Sequence, residues 1–199
     1  MKKHLLFAIC ALCIGSSYAQ DFVKGGNYVT VGYGLDPWGH RGLGAGNAWG
    51  TYKKSTIGPI VATYERGITD VLGIGRIGVG GGVGQTFYTE KYNWNIGGVE
   101  DVYRTSRLSI SVRGTYHFEF DVPKMDVYAG VGGGLYIFTD TDKEYNAITA
   151  SYATTKKSRL GGGYHVFAGI RYYFTPVFGV FAEAGHGHRA LSGGMVFAF

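Results

Sequence analysis

The sequence has almost no cysteine. Its two, Cys10 and Cys13, both lie close to the N-terminus. The rest of the chain therefore has no disulfide, no thiolate metal site and no cysteine nucleophile. It also lacks long apolar runs. Beyond the first residues no stretch reaches the length of a transmembrane helix, and the mean hydropathy is +0.00. A helical membrane protein is excluded. A membrane β-barrel is not, because each of its strands shows apolar residues only at alternate positions. Charge is modest as well. The formal +5 falls to +3 without Lys2 and Lys3, which is too little to argue for nucleic acid as a partner.

What is present begins with an export signal. Lys2 and Lys3 form a positive start, Leu5 to Gly15 a short apolar run, and Ser17-Tyr18-Ala19 the small residues that precede a cut. Cleavage is expected after Ala19. The run is about half the roughly 20 residues of a spanning helix. A lipoprotein signal is the competing reading, since Cys10 and Cys13 sit here, but Cys13 follows Cys10-Ala11-Leu12 rather than the small-residue run such signals show, and Cys10 would leave a very short apolar run. A short segment, 20–26, then precedes one domain, 27–199.

That domain alternates with period two. Along Arg107 to Phe118, Leu108, Ile110, Val112, Tyr116 and Phe118 share one face with Gly114. Arg107, Ser109, Ser111, Arg113, Thr115 and His117 share the other. Seven more segments behave alike. They centre on Val29–Tyr33, Ile60–Tyr64, Ile77–Phe87, Val127–Ile137, Tyr164–Phe174, Val180–Ala184 and Leu191–Phe199. Short connections lie near Gly67–Asp70, Phe120–Lys124 and Thr175–Phe178. Longer polar ones are expected over Asp36–Thr56, Thr89–Thr105 and Thr139–Ser158, with a short last one at His186–Ala190. The pattern predicts an all-β fold, an eight-stranded antiparallel up-and-down transmembrane β-barrel.

Alternation alone does not say which face is outside, because a soluble barrel around a ligand has the same period. Four features favour lipid outside. The polar face is rich in glycine, which suits a narrow lumen. Charges within strands are few and of both signs. Aromatic residues (Tyr64, Tyr116, Phe118, Tyr172, Phe174, Phe197 and Phe199) gather on the apolar face near the short turns, where an interfacial girdle belongs. The last strand ends in phase at Phe199.

Leu191–Phe199 (LSGGMVFAF) resembles the terminal strand of bacterial outer-membrane proteins. Pro59–Gly67 and Ala168–Gly185 (AGIRYYFTPVFGVFAEAG) resemble the small, porin-like outer-membrane β-barrel domain common in Bacteroidetes. The resemblance implies location in the outer membrane of a Gram-negative-type cell envelope. It implies contact with outer-membrane lipid and lipopolysaccharide. It further implies that Phe197 and Phe199 are an assembly signal read by the barrel-assembly machinery. It does not fix an activity, since such barrels serve as adhesins, structural proteins, small pores and lipid enzymes.

Glu65, Arg76, Arg113, Asp126, Arg171 and Glu183 all fall on the polar phase, each a few residues from a short turn. They are expected to form an ion-pair lattice in the lumen, because charges in so narrow a space must be paired. The alternative is a gate or a polar path for a small solute. His186-Gly187-His188 with His40 is a weak metal pattern, lacking a third ligand at fixed spacing, and no metal or other cofactor is expected. A lipid-A-modifying enzyme needs a Ser/His set such as Ser55, Ser151, Ser158 and His165, but no motif fixes their geometry. The loops carry Trp38, Trp49, Tyr52, Lys53, Lys54, Tyr92, Trp94, Arg104, Tyr145, Tyr152, Lys156 and Lys157. Such residues suit an extracellular ligand, a lipid phosphate or simple anchoring at the interface. The sequence reads best as a non-enzymatic outer-membrane barrel with a structural or surface-interaction role, ahead of a narrow channel and of a lipid-modifying enzyme.

Overall fold

The alternating segments form strands. They are β1 (Asn27–Leu35), β2 (Gly46–Asn47), β3 (Gly50–Gly67), β4 (Gly75–Trp94), β5 (Glu100–Phe118), β6 (Met125–Asn146), β7 (Ser151–Thr175), β8 (Phe178–His186) and β9 (Leu191–Ala198). The structure, a computed structural model, describes residues 22–35, 46–47, 50–94, 99–120, 122–146, 149–187 and 189–199. The segment read as an export signal lies outside these residues. β2 is a two-residue arm on β3. The other eight strands pair antiparallel in chain order, and β1 pairs with both β3 and β9. The sheet therefore closes on itself. At the seam Asn27 and Phe199 exchange two backbone hydrogen bonds, each 3.0 Å. Closure matters because hydrocarbon offers no water to an unpaired strand edge.

Burial follows the expected phase. Val112, Val131 and Leu160 are 70%, 62% and 69% exposed on the outside, while Tyr28, Glu65 and Val196 are fully buried inside. A wall that is apolar outward and polar inward is stable only against lipid. The barrel is thus an eight-stranded, up-and-down transmembrane β-barrel. The short connections are true turns. At one of them Ile77 N–H donates to Thr69 Oγ1 at 2.8 Å, and at another Phe178 N–H donates to Thr175 Oγ1 at 3.1 Å.

Two of the expected long loops are mostly strand. The β4–β5 ladder runs on to Asn93 opposite Glu100, and the β6–β7 ladder to Asn146 opposite Ser151. Outside the bilayer both faces of a strand meet water, so the apolar half of the alternation disappears while the backbone pairing persists. Gly50–Thr56, also expected as loop, belongs to β3. The rest of that first loop lies largely outside the described residues. The result is a lopsided rim. β8 ends at His186, opposite Val166, yet β7 continues back to Ser151. β3 to β7 therefore rise as an arc well above β8, β9 and β1.

Inside, large rings lie across glycines on the neighbouring strand. The register sets Tyr128 opposite Gly169, Phe167 opposite Gly130 and His165 opposite Gly132. A Cβ on Gly169 would stand 2.5 Å from the Tyr128 ring, and one on Gly130 would stand 2.5 Å from the Phe167 ring. These glycines are the space the rings occupy. Gly169→Ala should therefore destabilise the barrel by about 1–3 kcal/mol, the usual cost of overpacking. The midpoint of urea unfolding from lipid vesicles measures it. A midpoint equal to wild type would show that the ring is not held against the glycine.

Candidate functional site

The inward phase of β3, β5, β6, β7 and β8 brings charges from distant parts of the chain into the turn-side half of the lumen. Arg171 on β7 is 1% exposed. It donates to Glu65 through Nη2 and to Asp126 Oδ2 through Nη1 at 3.3 Å. His117 bridges the same two carboxylates. Its Nδ1 lies 2.7 Å from Asp126 and its Nε2 2.8 Å from Glu65, so each ring nitrogen is within hydrogen-bond distance of one carboxylate. The Thr115 hydroxyl donates to Glu65 as well.

A second node centres on Glu183. Arg113 Nη2 donates to it at 2.8 Å, Arg189 Nη2 at 2.6 Å and the Tyr128 hydroxyl at 3.1 Å. Tyr128 joins the nodes. The Arg171 guanidinium lies 4.6 Å from its ring centre, and Arg113 lies 5.8 Å from it on the way to Phe167, 4.0 Å away. In this buried setting each carboxylate has at least two hydrogen-bond partners, an arginine among them, which is what such desolvated charges require.

Five of the six charges singled out in the sequence thus lie in these two nodes. Arg76 does not. It reaches the mouth of the barrel, pairing with Glu119 at 2.7 Å and donating to the Phe22 carbonyl at 2.7 Å. Its place in the balance goes to Arg189, from the last connection. Sequence reasoning missed Arg189 because no periodicity places a residue in that turn. The period places His117 on the polar phase, among neighbours that are all charged or hydroxylic, but does not by itself join it to the cluster. Phe22 was missed altogether. That ring stacks on His117 at 3.4 Å between centres, only 1° from parallel, and on Tyr28 at 4.6 Å. Phe22 and its neighbours fold under the opening, where Gly25 N–H donates to the Gly67 carbonyl at 2.8 Å. A cavity of about 360 Å³ remains at this mouth, between Phe22, Arg76 and Glu119.

The outer half of the lumen is aromatic and cationic. A cavity of about 390 Å³ is bounded by Tyr88, Arg107, Tyr136, Phe138 and Arg159. Arg107 lies between two rings, 5.8 Å from Tyr88 and 5.8 Å from Tyr136. Above it the register assigns the inner side of the arc Tyr52, Glu90, Tyr92, Asp101, Tyr103, Asp140, Asp142 and Glu144, with Lys54 and Lys157. The Tyr52 ring packs against Tyr92, tilted 41° with centres 4.6 Å apart, and Trp94 Nε1 donates to Asp101 at 2.9 Å. The Tyr103 hydroxyl donates to Glu144 at 3.0 Å, and this bond is the main cause that pushes the phenol up to about 12. At the opposite, turn end, Lys24 holds the Asp70 carboxyl below its ordinary range.

The other sequence candidates do not converge. Ser55 and Ser158 are on the outward phase while His165 is buried in the lumen, so the wall separates them. Ser151 shares β7 with His165 but lies fourteen residues along it, about 45 Å of strand. His186 is exposed at the end of β8. His40 and His188, like Trp38 and Trp49, lie outside the described residues. Among the described residues no three His, Cys, Asp or Glu side chains converge on a metal site.

Removing one cation from a node leaves buried carboxylates uncompensated. Arg171→Ala should cost about 3–5 kcal/mol, and Arg76→Ala, at the wet mouth, about 1 kcal/mol or less. The temperature at which each folded barrel loses its heat-modified gel mobility compares them. Equal behaviour of the two variants would contradict the division into lumen nodes and mouth pair.

No protein-family model matches the sequence, and no curated protein does. Solved structures do. Ail, the attachment invasion locus protein of Yersinia pestis, in complex with the heparin analogue sucrose octasulfate, aligns at 12% identity with a TM-score of 0.50. The alignment covers 89% of this chain and 100% of that one. A second structure of Ail aligns at 11% identity and a TM-score of 0.49 over the same shares. The N-terminal β-barrel domain of Pseudomonas aeruginosa OprF aligns at 13% identity and 0.37, over 88% of this chain and 98% of that one. The likeness to the first is one of fold: this chain has the architecture of a small outer-membrane β-barrel.

Proposed function

We propose that this chain is a sealed, non-enzymatic outer-membrane barrel that acts at the cell surface through the inner side of its raised arc. One observation carries the reading: the lumen is filled where it would have to conduct, and among the described residues the arc stands open where a ligand would arrive. The two nodes, with Tyr28, Tyr128 and Phe22 packed among them, occupy the turn-side half. An eight-stranded lumen is normally filled by side chains, and this one is held by ion pairs that a permeating solute would have to break. The separation of His165 from Ser55, Ser151 and Ser158 supports the absence of Ser/His chemistry.

The arc offers what surface recognition uses. Tyr92 and Trp94 are 40% and 46% exposed, and Glu90, Asp101 and Glu144 stand beside them. Exposed rings stack on sugar faces, and carboxylates accept hydrogen bonds from sugar hydroxyls. The ligand class is therefore a neutral or cationic glycan. Ail was solved with a polyanionic sugar; a carboxylate-rich wall fits such a polyanion poorly. Export by the Lys2–Ala19 signal, residence in the outer membrane, assembly through Phe197 and Phe199, and membership of the Bacteroidetes-type porin-like group complete this reading. The residue patterns that first pointed to them support it.

In a planar bilayer the purified protein should give no unitary current steps. On immobilised glycans it should retain neutral oligosaccharides, and Tyr92→Ala with Trp94→Ala should lower that retention at least tenfold without changing heat-modified mobility. Reproducible conductance steps together with no glycan retention would replace the surface role with the channel. Deleting Phe199 should slow assembly into the outer membrane, read as unfolded protein accumulating in the periplasm; assembly at the wild-type rate would remove Phe199 from that role.

A further inference from the structure

The outer side of the arc has the opposite character to the inner side. Register places Lys53, Lys91, Arg104, Lys143 and Lys156 on the outward phase, with Glu100 as their acidic neighbour. Lys91 pairs with Glu100 at 2.7 Å, and Lys143 lies over the Tyr152 ring at 4.2 Å. Lys53, Arg104 and Lys156 make no ion pair among the described residues.

These cations stand at a fixed level. Leu108, Ile137 and Leu160 are paired side by side and mark the top of the apolar wall on β5, β6 and β7, while on β4 Phe87 carries it one step higher, beside Ser106 at the edge of the groove described next. Two residues further along each strand come Ser106, Thr139 and Ser158. Two further still come Arg104, Thr141 and Lys156, with Thr89 beside Arg104 on β4. Each step of two residues is about 6.6 Å along the strand. Hydroxyls and then cations thus follow directly on hydrocarbon, in the order in which a bilayer passes from acyl chain to headgroup.

The level is also concave. A groove of about 370 Å³ is lined by Thr89, Arg104, Ser106, Thr139, Thr141 and Lys156. Arg104 and Lys156 flank Thr141 from the two neighbouring strands, so their backbones are about 10 Å apart. That span lets two long cationic side chains converge on one group seated over Thr141. The hydroxyls donate to oxygen, the guanidinium offers a planar fork and the ammonium a point charge, a combination that suits a phosphate.

We propose that this groove binds a phosphate group of an outer-leaflet glycolipid. Charge complementarity and the position immediately above the apolar wall select the lipid, since a lipid phosphate is held at that height by its own acyl chains. The site fixes the barrel's depth and rotation against the lipid that surrounds it. It is independent of the glycan-binding reading, which uses the other side of the same sheet.

The probes are bisphosphorylated lipid A and its dephosphorylated form, added in equal amounts to the full-length protein in non-ionic detergent. Native mass spectrometry reads which lipid stays bound. Wild type should retain the phosphorylated form at least tenfold over the other. Arg104→Gln with Lys156→Gln should abolish that preference, and Thr141→Val should weaken it. Lys24→Ala, at the opposite end, should leave it unchanged. All four substituted side chains face solvent or headgroup, and retained heat-modified mobility verifies folding. Equal retention of the two lipids by wild type, or a wild-type preference in the double variant, overturns the proposal. Neither result bears on glycan retention by Tyr92 and Trp94.

Discussion

A backbone amide in hydrocarbon has no water to replace a missing partner, and the rest of this structure depends on that constraint. It forces the sheet to close at Asn27 and Phe199. Closing with eight strands makes the lumen narrow, and a narrow lumen must be filled. Glycines on one strand take the rings of the next, as Gly169 takes Tyr128 and Gly130 takes Phe167. What remains is filled with charge, and each buried charge must then find its counter-charge. Glu65, Asp126 and Glu183 meet Arg113, Arg171 and Arg189 for that reason, and His117 bridges Glu65 and Asp126.

The membrane-spanning part of this arrangement was legible in the sequence because lipid imposes a strict period. Residues such as Leu108, Ile110 and Val112 must face out, so the intervening Ser109, Ser111 and Arg113 must face in. The placement of charges on the inward phase follows directly. Where the constraint lapses, so does the pattern. The hairpins above the bilayer have water on both sides, and Thr139–Asn146 and Ser151–Ser158 read as loop although they are paired strand. Arg189 and Phe22 lie in segments with no period at all. Their positions come from reach and packing. Arg76 has the right phase but lies close enough to the mouth for Glu119 to compete for it.

The raised arc divides two kinds of contact between its faces. Inner carboxylates and rings look over the lumen, and outer cations look over the bilayer. A strand serves both without compromise because consecutive side chains point to opposite sides. Asp140 and Thr141, or Glu90 and Lys91, are neighbours in sequence yet meet different surroundings. Substitutions on one face can therefore change one contact and spare the other, provided they leave the ladder intact.

The uneven rim has a geometric consequence. A barrel of uniform height is equivalent from every side to what diffuses around it. Here β3 to β7 stand tall, while β8 ends at His186. Among the described residues the molecule thus has a front and a back in the membrane plane. A molecule arriving over the low wall of β8 and β9 meets the inner aromatic face, and one arriving behind the tall wall meets lysine and arginine. Within the bilayer plane the two sides of the molecule are therefore not equivalent.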